Sequence, residues 1–473
     1  MMKIPNEMQE QFLEAKQLIE SSNDIKIYTH TDCDGICSGA ILSIILDRLN
    51  KDYEIEFVNL DEIEDLDLDH KLTIFSDLGS GQGVDKNAKD GQKILILDHH
   101  PPLRDINYKN DKAYTYLEIN PMFYCIDGSY YVCGGGLCYF LAKTFGFKDL
   151  SWIGVLSAIG DMQNNKTGHF EGLNEIIQED AINEGLLKVT KNDLNIYGRS
   201  TRPLYVALSY FSDVKLPITN NQQEAKVVLE ELGVDEKHNR KTLSEVTEED
   251  KMEIKKFLSR MISKRVPPKY LKYVPKLIVG DAYTFLNEEE GSFLRDGSEF
   301  STAMNACGRN RKEAIGIDII KGDRLVALDA LEEVSKTHKY NLATSISKVA
   351  DNYHSEIIEL DNFQYFDCSD FDEDIASNII GTITGMVLGY CNWKKPILGF
   401  SKPKNNQIKV SLRCSKLLAY DGIHFGNMMR EIAKEVGGTG GGHAIACGAY
   451  IPNEKKSEFL DKFNRKLQGK IAN

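Results

Sequence analysis

The sequence predicts an α/β protein: a parallel-sheet domain, then a mostly helical middle insertion, then a smaller C-terminal α/β domain. Three observations carry this. Short, near-continuously apolar runs recur between residues 24 and 120, separated by helical or loop stretches, as in a parallel sheet buried on both faces. From about 190 to 350 the pattern turns helical and strongly charged, and after about 355 strand-like and helical stretches alternate again. These changes give boundaries of 1–195, 196–350 and 351–473, and 473 residues suffice for two or three cores.

Ile25 to Tyr28 reads as the first strand, and Ile36 to Leu49 as a helix burying Ile36, Ala40, Ile41, Ile44 and Ile45. Further strands follow at Ile55–Val58, Leu72–Phe75, Ile94–Leu97 and Tyr114–Ile119, with helices near 134–145 and 151–160. In the middle, Thr247-Glu248-Glu249-Asp250 resembles a capping box opening a helix to about Lys264. A helix over about 327–349 leads to a polar stretch, 351–356, expected to be a hinge. Pro396–Ser401 and Ile408–Arg413 should pair as a hairpin through Lys402-Pro403-Lys404-Asn405-Asn406. A helix at about 424–435, a strand at Ala446–Ile451 and a closing helix complete the chain.

The bulk composition, 42% apolar and 27% charged, is that of a globular protein. No signal core and no membrane-length apolar run is present, so a cytoplasmic protein with no membrane partner is expected. Ten cysteines without a CxxC pair point to reduced thiols rather than disulfides or structural zinc. A net charge of −14 argues against broad coating of duplex DNA but leaves room for a narrow strand channel.

Chemistry-bearing clusters begin where strand patterns stop. His30-Thr31-Asp32-Cys33-Asp34-Gly35 follows the first strand, Asp77-Leu78-Gly79 the third, and Asp98-His99-His100 the fourth. Gly160-Asp161 follows the apolar helix Trp152–Ile159. Carboxyl ends of neighbouring strands in an open α/β sheet converge on one crevice, so these residues can meet. His30, Asp32 and Asp34, at alternate positions of an extended segment, would point to one face, and Gly35 would turn the chain into the helix. Asp77, before Gly79-Ser80-Gly81, is the candidate for a bridging carboxylate. Pro101-Pro102 stiffens the strand end at Asp98. Two close divalent ions meet the needs of phosphodiester hydrolysis, lowering the pKa of water and clamping phosphate oxygens. A mixed His/Asp set suits Mn²⁺ or Mg²⁺.

Five glycines fill six positions before His443. Such a run is expected to be neither a helix interior nor a strand. It would form a backbone nest in which Gly440, Gly441 and Gly442 receive a phosphate, His443 adds a hydrogen bond, and Arg413 grips a neighbouring phosphate. Gly134-Gly135-Gly136 reads as close helix packing in preference to a phosphate site. Arg309, Arg311 and Lys312 are candidates for nucleic-acid backbone contacts, with a solvated charged turn as the alternative.

The motifs HxDxDG, DLG, DHH and GD, in this order, resemble those of the DHH phosphoesterase superfamily. Glu299 to Arg309 (EFSTAMNACGR), Gly198-Arg199 with Arg202-Pro203, and the terminal GGTGGGHAIACG resemble its archaeal RecJ-like branch, including the GINS-associated nucleases. The resemblance implies a DHH domain and a smaller DHH-associated domain with two Mn²⁺ or Mg²⁺ ions between them. It implies His30, Asp32, Asp34, Asp77, His99 and Asp161 as metal ligands, Asp98 as the residue orienting a histidine, and His100 as facing the scissile phosphate. Many relatives place three residues between the first His and the next Asp. Here one intervenes, so His30 and Asp32 stay alternatives for that ligand position.

The resulting expectation is a metal-dependent exonuclease acting on single-stranded DNA or RNA, 5′→3′ on DNA by resemblance, with Mn²⁺ preferred over Mg²⁺, in replication or repair. The second reading is a GINS-binding replication scaffold, since eukaryotic relatives serve in the replicative helicase with degenerate metal motifs; every acid is present here. The third is a phosphodiesterase for short oligonucleotides, which the long middle insertion disfavours.

Overall fold

The computed structural model describes residues 2–60, 62–63, 66–108, 113–234, 241–350, 356–371 and 379–471. The first part runs α1 (Asn6–Glu20), β1 (Ile25–Thr29), α2 (Cys33–Arg48), β2 (Tyr53–Phe57), β3 (Leu72–Ser76), β4 (Lys93–Leu97) and β5 (Thr115–Ile119). Then come α3 (Gly134–Thr144), α4 (Ser151–Gly160) and α5 (Leu173–Asn183). The five strands pair in parallel in the order β2-β1-β3-β4-β5. All of β3 and the last four residues of β4 are buried, as their unbroken apolar character requires. The strand order reverses between β1 and β3, and a crevice opens at such a switch point, outside the carboxyl ends of the strands.

The helix after β1 begins at Cys33, three residues before the expected Ile36. Asp32 is its N-cap, the side chain accepting from Gly35 N. Asp34 and Gly35 thus sit in the first helical turn, not on an extended segment, and the expected alternation of His30, Asp32 and Asp34 does not hold. The cap lies inside the chemical motif, ahead of the apolar periodicity that marks the helix.

Next come β6 (Leu187–Leu194), α6 (Leu204–Ser209), α7 (Gln222–Glu231), α8 (Glu248–Ser263), α9 (Val274–Ile278) and β7 (Val279–Phe285). Thr247 caps α8 by accepting from Asp250 N, where the sequence places it. The chain continues through α10 (Gly297–Arg309), α11 (Glu313–Ile320) and α12 (Val326–Ala350). It ends with β8 (Ile358–Glu359), β9 (Gln364–Asp367), α13 (Ile380–Val387), β10 (Ile397–Phe400), β11 (Gln407–Arg413), α14 (Lys416–Tyr420), α15 (Phe425–Glu435), β12 (Thr439–Gly442), β13 (Ala446–Pro452) and α16 (Lys456–Leu467). The expected hairpin is β10–β11, antiparallel with Ile397 opposite Arg413. Most of the expected hinge, 351–355, lies outside the described residues.

Two compact units result: Met1–Asn192 with Gly280–Lys336, and Asp193–Val279 with Thr337–Asn473. Residues 280–336, expected in a middle region, belong to the first unit. Phe300, Ala303, Met304 and Cys307 of α10 and Ile317, Ile319 and Ile320 of α11 join the core that also holds Trp152 and Ile36. Helical periodicity marks an apolar face but not the surface it covers. The second unit holds a helical core around Leu208, Leu229, Ile254 and Leu258. Its six-stranded sheet has the order β12-β13-β11-β10-β9-β8. All ten cysteines are free thiols, as expected. No helix among the described residues is long and apolar enough to cross a membrane.

Within the second unit, Asp193 is an ionic anchor. Its fully buried carboxylate accepts from Arg199 Nη2 at 2.7 Å and Lys251 Nζ at 3.1 Å. Burial alone would raise its pKa, but Arg199, Leu194 N and Lys251 hold it below the ordinary carboxylate value. Asp193→Asn is expected to cost about 3–5 kcal/mol, chiefly because the buried Arg199 guanidinium loses this anion, while Lys251 keeps Glu248 at 2.8 Å. Urea unfolding measures this. The folded-state pKa lies below the unfolded one. The stabilisation is therefore present above the unfolded pKa, near 4, and is lost as pH falls through the folded value. The variant's deficit should accordingly shrink in acid.

Candidate metal centre

Asp77 follows β3 at the switch point. It is 1% exposed and adopts a left-handed backbone, φ 58°, which Asp and Asn tolerate better than most residues. Its N–H continues the sheet by donating to Leu97 O. Its two oxygens face different partners: Oδ2 lies 3.5 Å from His30 Nδ1, and Oδ1 lies 3.3 Å from His99 Nε2. One carboxylate thus looks toward two groups of ligand-type atoms, His30 with Asp32 and His99 with Asp34 and Asp161.

Asp34 is held from three sides. Gly134 N and Gly135 N donate to it at 2.8 and 2.7 Å, and Ser157 Oγ donates to Oδ1. The α3 N-terminus, considered above for phosphate, receives this carboxylate instead. A Cβ on Gly135 would lie 2.2 Å from Ser157 Oγ, so the glycines also allow the close packing expected of them. His99 Nδ1 donates to Gly128 O at 2.7 Å, which leaves Nε2 bare and facing Asp34 Oδ2 at 3.6 Å. Gln163 Nε2 positions Asp161 at 2.7 Å, and Asn174 in turn holds Gln163.

His30 Nδ1, Asp77 Oδ2 and His99 Nε2 are buried side-chain atoms without a hydrogen-bond partner among the described residues. Buried polar atoms are normally satisfied, and these three lie together around the Asp77 carboxylate. Burial, with Asp34 and Asp32 nearby, pushes the Asp77 carboxyl well above its ordinary pKa. Burial would lower His30 and His99, but the carboxylates of Asp32, Asp161 and Asp77 raise both well above the ordinary histidine value. Imidazole nitrogens crowded against carboxylates, holding protons that a cation would displace, fit divalent cations. The set brings together all six ligand-type residues singled out from the sequence, His30 and Asp32 both included.

Asp98 is fully buried, with both oxygens engaged: Oδ2 by Ser80 N at 2.9 Å, and Oδ1 by His100 Nδ1 at 2.7 Å and His100 N at 3.2 Å. Burial opposes ionisation, yet His100, His99 and Ser80 N hold its pKa well below the ordinary value. The His100 side chain is 43% exposed, so the ring is fixed at one nitrogen and open at the other. Asn120 secures this loop by donating to His100 O and Ser80 Oγ.

α10 braces the metal loop. Asn305 Oδ1 accepts from Cys33 N at 3.0 Å, and a Cβ on Gly308 would fall 1.6 Å from Thr31 O. Arg309, the last residue of α10, therefore adjoins the His30–Asp34 loop and is partly exposed. Gly308→Ala must push backbone from backbone. A stability loss of about 1–3 kcal/mol is expected, with weakened Mn²⁺ affinity, read by urea unfolding and calorimetric titration.

In the second unit the glycine run corrects the sequence reading. Thr439–Gly442 is an edge strand, paired from Thr439 with Tyr450 to Gly442 with Cys447. The template is β13, and glycine allows the crowding behind it: a Cβ on Gly426 of α15 would lie 1.8 Å from Gly442 O. Gly442 itself has φ 117°. A strand's N–H groups alternate in direction, so Gly440, Gly441 and Gly442 present an edge rather than a nest of successive amides. His443 turns the chain, its N–H donating to Ala446 O. Arg413 stands opposite Ala446 on the other side of β13. Burial lowers the pKa of its guanidinium. Arg430, not singled out from the sequence, reaches Gly441, where an added Cβ would lie 3.3 Å from its Nη2.

Ser157, Asn120, Gln163 and Asn305 were missed as well. Polar residues inside apolar helices were the signal for Ser157, and Asn305 lies within the EFSTAMNACGR segment.

A switch-point centre of histidines and carboxylates on a parallel sheet defines a class, and comparison with known proteins supplies its family. Residues 24–155 match the family model described as DHH family, N-terminal domain; 196–274 match the DHH-CID domain, and 361–469 the DHHA1 domain. The uncharacterized protein MJ0831 of Methanocaldococcus jannaschii is 31% identical over 446 residues, covering 93% of this chain and 92% of that protein. CDC45 from Entamoeba histolytica has a similar fold, with TM-score 0.61 and 15% identity over 98% of this chain and 99% of that one. RecJ from Thermus thermophilus, in complex with Mn²⁺, gives TM-score 0.56 and 12% identity over 99% of this chain and 55% of that one. The chain belongs to the DHH superfamily. Within it, the chain shares its fold with CDC45 and RecJ.

Proposed function

We propose that this protein is a metal-dependent exonuclease that releases mononucleotides from single-stranded nucleic acid, 5′→3′ on DNA, in replication or repair. The observation that carries the reading is the convergence of unsatisfied buried atoms on Asp77, with every acid of the set present. His30, Asp32, Asp34, Asp77, His99 and Asp161 would hold two divalent ions, Mn²⁺ or Mg²⁺. Bound there, the ions supply charge neutralisation at phosphate oxygens and a lowered water pKa. His100, held by Asp98, presents its free ring nitrogen to the scissile phosphate. Arg309, beside the metal loop, contacts a neighbouring phosphate. In the second unit, the β12 edge from Gly440 to Gly442, with His443, Arg413 and Arg430, binds substrate phosphate.

Digestion of DNA and RNA strands labelled at either end, with Mn²⁺ and Mg²⁺ compared, tests this. Mononucleotide release from the 5′ end of DNA is expected, and its absence with both metals on both polymers overturns the reading. The likeness of fold to CDC45 supports a second reading, a scaffold in a replication complex containing GINS. Co-purification with GINS subunits tests it, and a monodisperse chain that captures none counts against it.

A further inference from the structure

The second unit carries a basic segment that the metal centre does not use. From Lys255 to Lys276 the chain has eight cations, Lys255, Lys256, Arg260, Lys264, Arg265, Lys269, Lys272 and Lys276, and no acid. This stands against a net charge of −14 for the whole chain. All but Lys255 are exposed. Lys256 pairs with Glu253 and Lys269 with Asp421, whereas Arg260, Lys264, Arg265, Lys272 and Lys276 meet no carboxylate among the described residues. Cations near the end of α8 complement its dipole, which accounts for Arg260 and Lys264. It does not account for Lys272 and Lys276, which lie beyond that helix in the 3-10 turn Pro268–Tyr273 and in α9.

Spacing and aromatic content narrow the partner. Lys256, Arg260 and Lys264 recur every fourth residue, so they share one side of α8 at a rise of about 6 Å each. Lys272 Nζ lies 4.8 Å from the Tyr273 ring and Lys276 Nζ 5.5 Å from the Tyr420 ring, and the two partly exposed rings are 5.4 Å apart. Exposed cations in a row, followed along the chain by two more that lie over aromatic rings, are the chemistry of a single strand, with phosphates on the cations and bases stacked on the rings. We infer that the Lys255–Lys276 segment, with Tyr273 and Tyr420, is an accessory binding surface for single-stranded nucleic acid. It rests on the nuclease reading and adds a hold on the strand by residues outside the metal centre.

The test combines Arg260→Ala, Lys264→Ala, Arg265→Ala and Lys272→Ala. Affinity of the full chain for a dye-labelled thymidine homo-oligomer is measured by anisotropy across a salt series, in EDTA so that hydrolysis plays no part. The slope of log K against log salt should fall by about 0.7 for each cation removed, with at least a tenfold loss of affinity at moderate salt. A charge-preserving Lys264→Arg, Lys272→Arg chain should retain both values, and thermal melting checks that each variant folds. Unchanged slope and affinity in the alanine chain overturn the inference. So does unchanged strand affinity accompanied by loss of polyglutamate binding, which assigns the surface to an acidic protein. Hydrolysis of a dinucleotide by the alanine chain with Mn²⁺ is expected at the unaltered rate. Absence of hydrolysis in the unaltered chain would count against the nuclease reading alone.

Discussion

Asp77→Asn is expected to abolish Mn²⁺-dependent release of nucleotides, by on the order of a thousandfold or more, while leaving the fold intact. Asn keeps the volume of the side chain and tolerates the left-handed backbone at φ 58°. What is lost is the negative charge whose two oxygens face His30 and His99. Burial and the neighbouring carboxylates push the Asp77 carboxyl well above its ordinary pKa, so removal of this charge should not destabilise the metal-free chain. Thermal melting without metal should show the variant as stable as the unaltered protein. The stabilisation that Mn²⁺ confers by binding the native state should shrink. Full activity in the variant would remove Asp77 from the centre of the account.

Asp98→Asn is expected to lower turnover by about 10–100-fold, the usual scale for a partner that orients a working side chain, with Mn²⁺ affinity largely kept. Both oxygens of Asp98 are committed, to Ser80 N and to His100, so it acts through the histidine. His100→Ala should lower turnover at least as far, and the double variant should fall no further than His100→Ala alone, because the two residues work as a unit. The split between turnover and metal affinity separates this from a ligand role. If Asp98→Asn loses Mn²⁺ binding as Asp77→Asn does, Asp98 is itself a ligand.

Much of the site was legible because topology made it so. A strand end is visible where an apolar run stops, and the clusters at 30, 77 and 98 follow β1, β3 and β4, which neighbour one another in the sheet. The start of α2 was misread because its cap, Asp32, is also a site residue. The glycine run was misread because strand formation at 439–442 is imposed by β13 and by the close approach of α15, not by local preference. The donors around Asp34 and the brace from Asn305 depend on which helices touch, and periodicity does not give that. The same holds for residues 280–336, whose apolar faces were evident but whose partner core was not.

With its two oxygens facing His30 and His99, Asp77 would join two cation positions. Equilibrium binding of Mn²⁺ to the metal-free protein, counted by calorimetry and by electron paramagnetic resonance, tests it most directly. The account predicts two ions per chain with the spectrum of a coupled pair, and loss of that coupling in Asp77→Asn. A single uncoupled ion in the unaltered chain, or a coupled pair that persists in Asp77→Asn, would contradict it.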